Sequence, residues 1–182
     1  MKRFLSILSL LQAALALRAQ DTASLPRTFA EAKITIDLPN NAWHFTGKQE
    51  KNNLVVYVFK RDEVRDSLNR SIIPNIGVII ENVADKMDVV TYSAKKRGSA
   101  SFDVTAMFIA GDGKINFVNA VGYKGTYTDA FEHIVYVVHA INNKKGIQII
   151  LDTTTGTFDQ IEPEFFEVLR SIRKSKEPPK PS

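Results

Sequence analysis

The chain has 182 residues and a formal net charge of +4, and it contains no cysteine. A disulfide framework, a cysteine nucleophile and a lipid-modified N-terminal cysteine are therefore excluded. The positive charge belongs to the two ends, because residues 1–19 carry three basic side chains while residues 20–172 carry 17 basic against 19 acidic ones. Nucleic-acid binding is not expected, since it takes basic residues clustered among aromatic ones on the folded body, and the dense cluster Lys95–Arg97 is typical of a solvated helix end.

A secretory signal peptide is predicted at the N-terminus. Lys2 and Arg3 precede the apolar run FLSILSLLQAALAL, and small and polar residues follow around Ala19. The run is too short to span a bilayer, which takes about 20 apolar residues. We therefore expect cleavage after Ala19 and a secreted or periplasmic protein that keeps no stable membrane anchor.

The first half of the body predicts a meander of β-strands. Ile34, Ile36 and Leu38 alternate with polar residues in a half-buried strand, and a second strand begins at Trp43. After the turn EKNN, residues 54–61 form a third strand. The polar segment DEVRDSLNRS then leads to a fourth strand, which starts near Asn75.

A short helix and a hairpin are predicted next. Asp88 is a typical N-cap for a helix over residues 89–97, because its carboxylate can accept hydrogen bonds from the free amides of the first turn. Strands at 104–110 and 115–121 flank the sequence Gly111-Asp112-Gly113, whose residues tolerate the positive φ of a turn. A phosphate-binding loop would be followed by a helix, and a strand is expected here instead.

Two of the three histidines, His133 and His139, lie in the most apolar stretch of the chain. Strand alternation places them on one face, together with Val135 and Val137. Six positions at about 3.4 Å each separate them by roughly 20 Å, whereas a zinc ion lies about 2 Å from each ligand. We therefore expect two hydrogen-bonded structural imidazoles, with no metal and no cofactor.

The strand that carries both histidines is apolar on both faces, so each face needs a cover. One cover comes from the apolar positions Phe158, Ile161, Phe165, Leu169 and Ile172, which recur at helical spacing. The predicted fold class is therefore α+β, a mainly antiparallel sheet between helices. We expect one domain over residues 20–172 and a disordered, basic, proline-rich tail over residues 173–182.

The order of these elements is similar to that of a known family. The segments IDLPNNAW, IPNIGVIIENV, GYKGTYTD, HIVYVVHAI, KGIQIILDTT and FFEVLRSI together resemble the PsbP-like family, in particular its secreted bacterial DcrB-type branch. The resemblance covers residues 29–172, approximately. It implies an α/β/α arrangement and accessory, chaperone or docking proteins, not enzymes. The family has no shared catalytic motif to carry over, and the photosystem-docking signatures of plant members are absent.

The sequence favours a binding protein over an enzyme. It has no Gly-x-Ser-x-Gly elbow, no His-Glu-x-x-His helix and no glycine-rich nucleotide loop. We predict a non-catalytic module that presents loops and one sheet edge to a protein partner, docking to or chaperoning another envelope or secreted protein. The expected contact residues are Arg61, Arg65 and Arg70, on a charged loop long enough to adapt.

A small-ligand-binding protein or an enzyme is the alternative. Its pocket would lie near Trp43, His44 and Tyr57, because these residues supply the mixture of aromatic and polar groups usual in such sites.

Overall fold

A seven-stranded antiparallel sheet lies at the centre of the fold. The structure, a computed structural model, describes residues 24–175, so the predicted signal peptide at 1–19 and the tail from residue 176 onward lie outside the described residues. In spatial order the strands are β3 (Trp43–Lys51), β4 (Leu54–Arg61), β7 (Asn75–Asn82), β11 (Lys145–Thr154), β10 (Glu132–Asn142), β9 (Ala120–Thr128) and β8 (Asp103–Ile109). The outermost strands, β3 and β8, are the two edges.

Smaller elements surround this sheet. A second sheet contains, in spatial order, β1 (Leu25–Phe29), β2 (Ile34–Leu38) and β12 (Arg173–Lys174), and a ribbon pairs β5 (Val64–Arg65) with β6 (Ser71–Ile72). Helix α1 spans Val89–Arg97, and a 3₁₀ turn at Thr155–Thr157 leads directly into helix α2, Phe158–Ser171. No helix within residues 24–175 is long and apolar enough to cross a membrane.

The inner face of the sheet packs against α2. Its buried side chains on β7, β11 and β10 are Ile76, Val78, Ile80, Ile147, Ile149, Leu151, Tyr136 and Val138. All five positions of the apolar stripe expected on α2 are buried. Phe165, at its centre, packs its ring against those of Trp43 and Tyr136. The helical spacing predicted from the sequence is confirmed. The side chains at these positions and those on the inner face of the sheet form the main core.

The opposite, outer face of the sheet is covered only in part. Helix α1 lies over β9 and β10, and its Tyr92 is buried against Gly146 of β11, where a Cβ atom would lie 2.6 Å from the Tyr92 ring. Asp88 caps α1 as predicted, accepting from the Thr91 amide at 2.8 Å. Both faces thus carry a helix, which confirms the predicted fold class. The outer side chains of β4 and β7, such as Ile79, stay partly exposed.

The loop between β8 and β9 is longer than the sequence predicts. Gly111 and Gly113 do adopt positive φ angles of +104° and +74°, as expected for the turn. The strand expected to begin at Ile115 begins only at Ala120, however. Ile115 and Phe117 alternate as they would in a strand, but both side chains are buried in the core as part of an irregular segment. Ile115 and Phe117 alternate because both side chains insert into the core, although their segment does not pair with a strand.

The packed domain continues past the boundary predicted at residue 172. Arg173 and Lys174 form β12, which pairs with β2. The Arg173 guanidinium also donates to both carboxylate oxygens of Asp37, at 2.7 and 2.8 Å, and this raises the pKa of Arg173. The first residues assigned to a disordered tail are therefore part of a sheet, because β2 offers them an unpaired edge and a carboxylate.

Candidate functional site

The charged segment between β4 and β7, predicted to be an adaptable contact loop, contains a hydrogen-bonded unit built around Asp66. The side chain of Asp66 is fully buried and lies 2.6 Å from Nε of Arg70. It also accepts from the amides of Leu68 and Arg70, each at 2.9 Å. These hydrogen bonds, with that of the Arg70 amide the strongest, hold the pKa of Asp66 below its usual range. The segment therefore has hydrogen bonds of its own at its centre.

Arg61, the first of the predicted contact residues, is occupied within the protein. Its Nε and Nη2 donate to the carboxylate of Glu164 in α2 at 3.0 and 2.9 Å, and its side chain is 19% exposed. Glu164 also accepts from Nε1 of Trp43 at 2.6 Å. These three side chains link β3 and β4 to α2, so the Arg61 guanidinium is already paired within the protein.

The other two predicted contact residues differ in their availability. Arg70 is bound to Asp66, and its guanidinium lies 4.5 Å from the centre of the Phe131 ring. Arg65 pairs with Glu63 at 2.9 Å, and 58% of its side chain is exposed. Of the three arginines, Arg65 presents the largest exposed fraction.

Trp43, His44 and Tyr57, which were expected to line one pocket, do not share one face of the sheet. Trp43 and His44 are neighbours on β3, so their side chains leave on opposite faces of the sheet. Trp43 is buried against α2, whereas His44 is exposed and shares a hydrogen bond with Asp62 at 2.9 Å. Tyr57 donates to Glu31 at 2.8 Å. Strand alternation thus separates side chains that are close in sequence, and the three have different partners.

A groove on the outer face does bring distant residues together. Its volume is about 290 Å³, and its floor consists of Val135 and Val137 of β10 and Ile150 of β11. The wall is the C-terminal end of α1 and the segment that follows it, including Phe102. Phe102 lies directly over Gly125, where a Cβ atom would be 2.4 Å from its ring. The groove therefore combines an apolar floor with a fixed aromatic wall.

One end of the groove is bounded by Tyr127, which stacks on His133 with ring centres 4.7 Å apart. The Tyr127 hydroxyl donates to Oδ2 of Asp152 at 3.0 Å, and Oδ1 of Asp152 lies 3.0 Å from Nδ1 of His133. Asn75 donates to the same carboxylate at 3.1 Å. Burial and the charge of Asp152 raise the pKa of Tyr127. Four neighbouring strands thus share one hydrogen-bonded network.

In the pair formed by His133 and Asp152, a carboxylate orients an imidazole, as in serine hydrolases. Such a pair also needs a nucleophile within about 3 Å of the other ring nitrogen. The hydrogen bonds of His133 within residues 24–175 all involve Nδ1. The same residues contain no group of three or more histidine or acidic side chains placed to hold a metal ion. The contacts that His133 forms within residues 24–175 are hydrogen bonds with Tyr127 and Asp152 and a ring stack on Tyr127.

His139 lies at the other end of the groove, beneath α1, and is 1% exposed. Its Nδ1 shares a hydrogen bond with Oγ of Ser93 at 2.9 Å, and Ser93 shares another with the Tyr123 hydroxyl at 2.8 Å. Burial, aided by the charges of Lys96 and Arg97, lowers the pKa of His139 to about 4, so the imidazole is neutral near pH 7. No residue between 24 and 175 forms a hydrogen bond with its Nε2.

The two edges of the main sheet differ in charge. β3 carries Lys48, Glu50 and Lys51, whereas β8 carries no charged residue after Asp103. Met107 of β8 is 65% exposed. The β8 edge is therefore the apolar one, and it continues the apolar outer face of the sheet.

Sequence reasoning placed both histidines on one face but missed the groove between them. The groove depends on two strand glycines, Gly125 and Gly146, whose missing side chains leave space for Phe102 and Tyr92. A glycine inside a predicted strand often marks the close approach of another part of the chain. That signal is in the sequence, but it does not say which residue approaches.

Comparison with known proteins identifies the fold of this chain and does not identify its family. No family model matches the chain, and no curated protein matches its sequence significantly. Among solved structures, PA94 of Pseudomonas aeruginosa, a protein of unknown function, has a TM-score of 0.53 and 14% identity, covering 87% of this chain and 99% of its own. LpqN of Mycobacterium tuberculosis has a TM-score of 0.51 and 11% identity, covering 84% and 91%.

A third solved structure is more distant. Cyanobacterial PsbP (CyanoP) from Synechocystis has 15% identity and a TM-score of 0.48, and it covers 86% of this chain and 95% of its own. PA94 and LpqN, in contrast, have the fold of this chain, in which an antiparallel sheet lies between helices.

Proposed function

We propose that this protein is a secreted or periplasmic accessory protein that binds another envelope or secreted protein and has no catalytic activity of its own. Within this proposal it is a PsbP-like protein of the DcrB-type branch, and it docks to or chaperones its partner without a cofactor. The proposed location rests on the signal-peptide pattern at residues 1–19. LpqN, which has the same fold, is involved in cell envelope biogenesis.

The observation that carries the proposal is the open β8 edge. Unpaired N–H and C=O groups on an edge strand pair readily with another extended chain, and proteins usually guard such edges with charges or bulges. β3 has both, with charged residues along its length and a bulge between Phe45 and Gly47. β8 has a bulge only near its start, between Val104 and Ala106, and no charge beyond it. The unguarded edge is the one suited to a partner.

The geometry of β8 defines what would bind there. The amide of Ile109 is already bonded to Asp112 at 3.0 Å, so the available edge is short and centred on Met107. An extended segment of the partner would add to β8 as an eighth strand, using main-chain hydrogen bonds. Its side chains would alternate, and those beside Met107 would lie on the apolar outer face. We expect apolar residues at these alternate positions.

Site-specific photo-cross-linking in producing cells tests this proposal. A cross-linking amino acid replaces Met107 on β8, and the matched control replaces Gln49, an exposed residue of the opposite edge strand. We expect one discrete adduct from position 107 and none from position 49. Ile109→Lys, which adds a charge to the exposed edge, should abolish the adduct. Peptide mapping should place the cross-link in an extended apolar segment of the partner.

Three outcomes would contradict the proposal. They are no adduct from position 107, equal adducts from positions 107 and 49, and an adduct that Ile109→Lys leaves unchanged. Arg65, the most exposed of the loop arginines, is tested in the same assay by Arg65→Ala. A lower yield of the adduct from position 107 would place the loop in the interface, and an unchanged yield would remove it from the proposal.

A further inference from the structure

We propose that the outer-face groove binds a small carboxylate with an apolar body, whose head group contacts Nε2 of His139 and the ammonium of Lys96. This inference does not depend on the β8 edge. It rests on the floor of the groove, on an imidazole nitrogen that faces the groove and has no hydrogen-bond partner within residues 24–175, and on the sign of the nearby charge.

The shape of the groove fits the apolar body of such a ligand. Val135, Val137 and Ile150 form a floor without polar side-chain atoms, and Phe102 covers it from one side. From Val135 to His139 the floor extends over four residues, or about 14 Å. A volume of about 290 Å³ lies at the lower end of the range for ligand pockets, so the occupant is smaller than a typical drug molecule.

The polar end of the groove is built around His139, which is 1% exposed and still lines the groove. Ser93 can donate to Nδ1 while it accepts from the Tyr123 hydroxyl, since the oxygen–nitrogen and oxygen–oxygen distances are 2.9 and 2.8 Å. In that arrangement Nε2 carries the proton and is a donor without an acceptor. Within residues 24–175 no fully buried side-chain nitrogen or oxygen lacks a hydrogen-bond partner, so Nε2 is reached from the groove. A ligand oxygen at this point accepts its hydrogen bond.

The charges around the groove favour an anion. Lys96 is the one ionised residue among those that line the groove. Arg97, on the same helix, adds a second positive charge near His139, and Glu81 of β7, which pairs with Lys96, supplies a negative charge. The net charge of Lys96, Arg97 and Glu81 is +1, and it lies at the end of the groove where Nε2 of His139 is found. A carboxylate satisfies both groups, because it accepts from Nε2 and neutralises the excess charge.

Nitrogen NMR of the imidazoles tests this directly. The chain has three histidines, so long-range ¹H–¹⁵N spectra of the protein are simple to assign. Sodium octanoate is titrated as the probe, with 1-octanol as the uncharged control of the same chain length. We expect a saturable shift of Nε2 of His139, with the resonances of exposed His44 unchanged. Octanol should bind at least about tenfold more weakly, since it lacks the charge-assisted hydrogen bond.

Two variants separate the groove from other sites. Ile150→Trp fills the groove from its floor, and Ile79→Trp places the same side chain on the same sheet face outside the groove, where both native residues are partly exposed. Octanoate affinity should fall at least tenfold in Ile150→Trp and stay within twofold in Ile79→Trp. His139→Phe keeps the ring and leaves Ser93 bonded to Tyr123, and its preference for octanoate over octanol should be smaller than that of the wild type, since only Lys96 then contacts the head group.

The proposal is overturned if folded wild-type protein shows no shift of His139 at millimolar octanoate. Equal affinity for octanoate and octanol in the wild type would show that the carboxylate does not contact Nε2 of His139 and the Lys96 ammonium. An unchanged affinity in Ile150→Trp would place the octanoate elsewhere. None of these results bears on cross-linking at β8, so this inference and the proposed function fail independently.

Discussion

The packing of α1 against the sheet predicts opposite changes in stability for two glycine-to-alanine substitutions. Gly146 and Gly77 lie on the outer face of neighbouring strands, β11 and β7. A Cβ atom at Gly146 would lie 2.6 Å from the ring of Tyr92 and 2.8 Å from its hydroxyl, whereas one at Gly77 would meet only Ile150, at 4.0 Å. Gly146→Ala therefore displaces Tyr92, and Gly77→Ala displaces nothing.

The magnitudes follow from the contacts of Tyr92. Its hydroxyl donates to Glu81 at 2.7 Å, and losing a hydrogen bond to a carboxylate costs about 1.5 to 3 kcal/mol. Withdrawing the buried ring from the sheet costs up to about 3 kcal/mol more. Gly146→Ala should thus lower the free energy of unfolding by about 1.5 to 6 kcal/mol. Gly77→Ala should raise it by about 0.4 to 1 kcal/mol, because alanine restricts the unfolded chain.

Urea denaturation of both variants measures these changes, and hydrogen exchange locates them. The amides of α1 should exchange faster in Gly146→Ala than in the wild type, and those of α2 should change no more than global stability requires. Equal stability of the two variants, or stabilisation by Gly146→Ala, would show that Tyr92 does not hold α1 against β11.

Three further predictions concern the core, the buried histidine and the C-terminal helix. Phe165→Ala should lower the free energy of unfolding by about 3 to 5 kcal/mol, because it removes a buried core side chain. The control Glu167→Ala, on the exposed side of the same helix, should lower it by less than about 0.5 kcal/mol. Equal losses in urea denaturation would refute the packing of α2. His139 has a lowered pKa of about 4, so the unfolded chain binds its proton more readily and stability is lost as the pH falls from about 6.5 toward 4. Between pH 7 and pH 4 the wild type should lose about 3 kcal/mol more than His139→Phe, and parallel pH profiles would contradict this. Truncation before Ile161 should give insoluble protein, and a soluble, cooperatively folded fragment would refute the role of α2 as part of the core.

The parts of the fold that sequence predicts well are those fixed by local periodicity. The alternation around Tyr136 and the helical stripe through Phe165 each describe one element burying one face, and both were predicted correctly. Ile115 and Phe117 alternate in the same way without pairing, because periodicity reports burial and not hydrogen bonding. Their segment could not be told from a strand without knowing where β9 begins.

The groove lies beyond local prediction because it depends on register. Ser93 and His139 meet across 46 positions of sequence, and Tyr92 meets Gly146 only because α1 crosses the sheet at that point. Asp66 is similar, since its segment was predicted to be an adaptable charged loop, whereas its side chain is fully buried and packs against Gly156, where a Cβ atom would lie 3.2 Å from it. In each case a polar residue is buried by a partner that the sequence does not identify.

The main sheet has one face buried in the core and one partly exposed face that is available for binding. Methyl NMR with a soluble paramagnetic probe measures this directly. Signals of Val56, Ile79 and Ile150, on the outer face, should be strongly attenuated, and those of Val78 and Ile149, on the inner face, should not. Equal protection of both sets would mean that another layer covers the outer face, and it would contradict the assignment of binding to that surface.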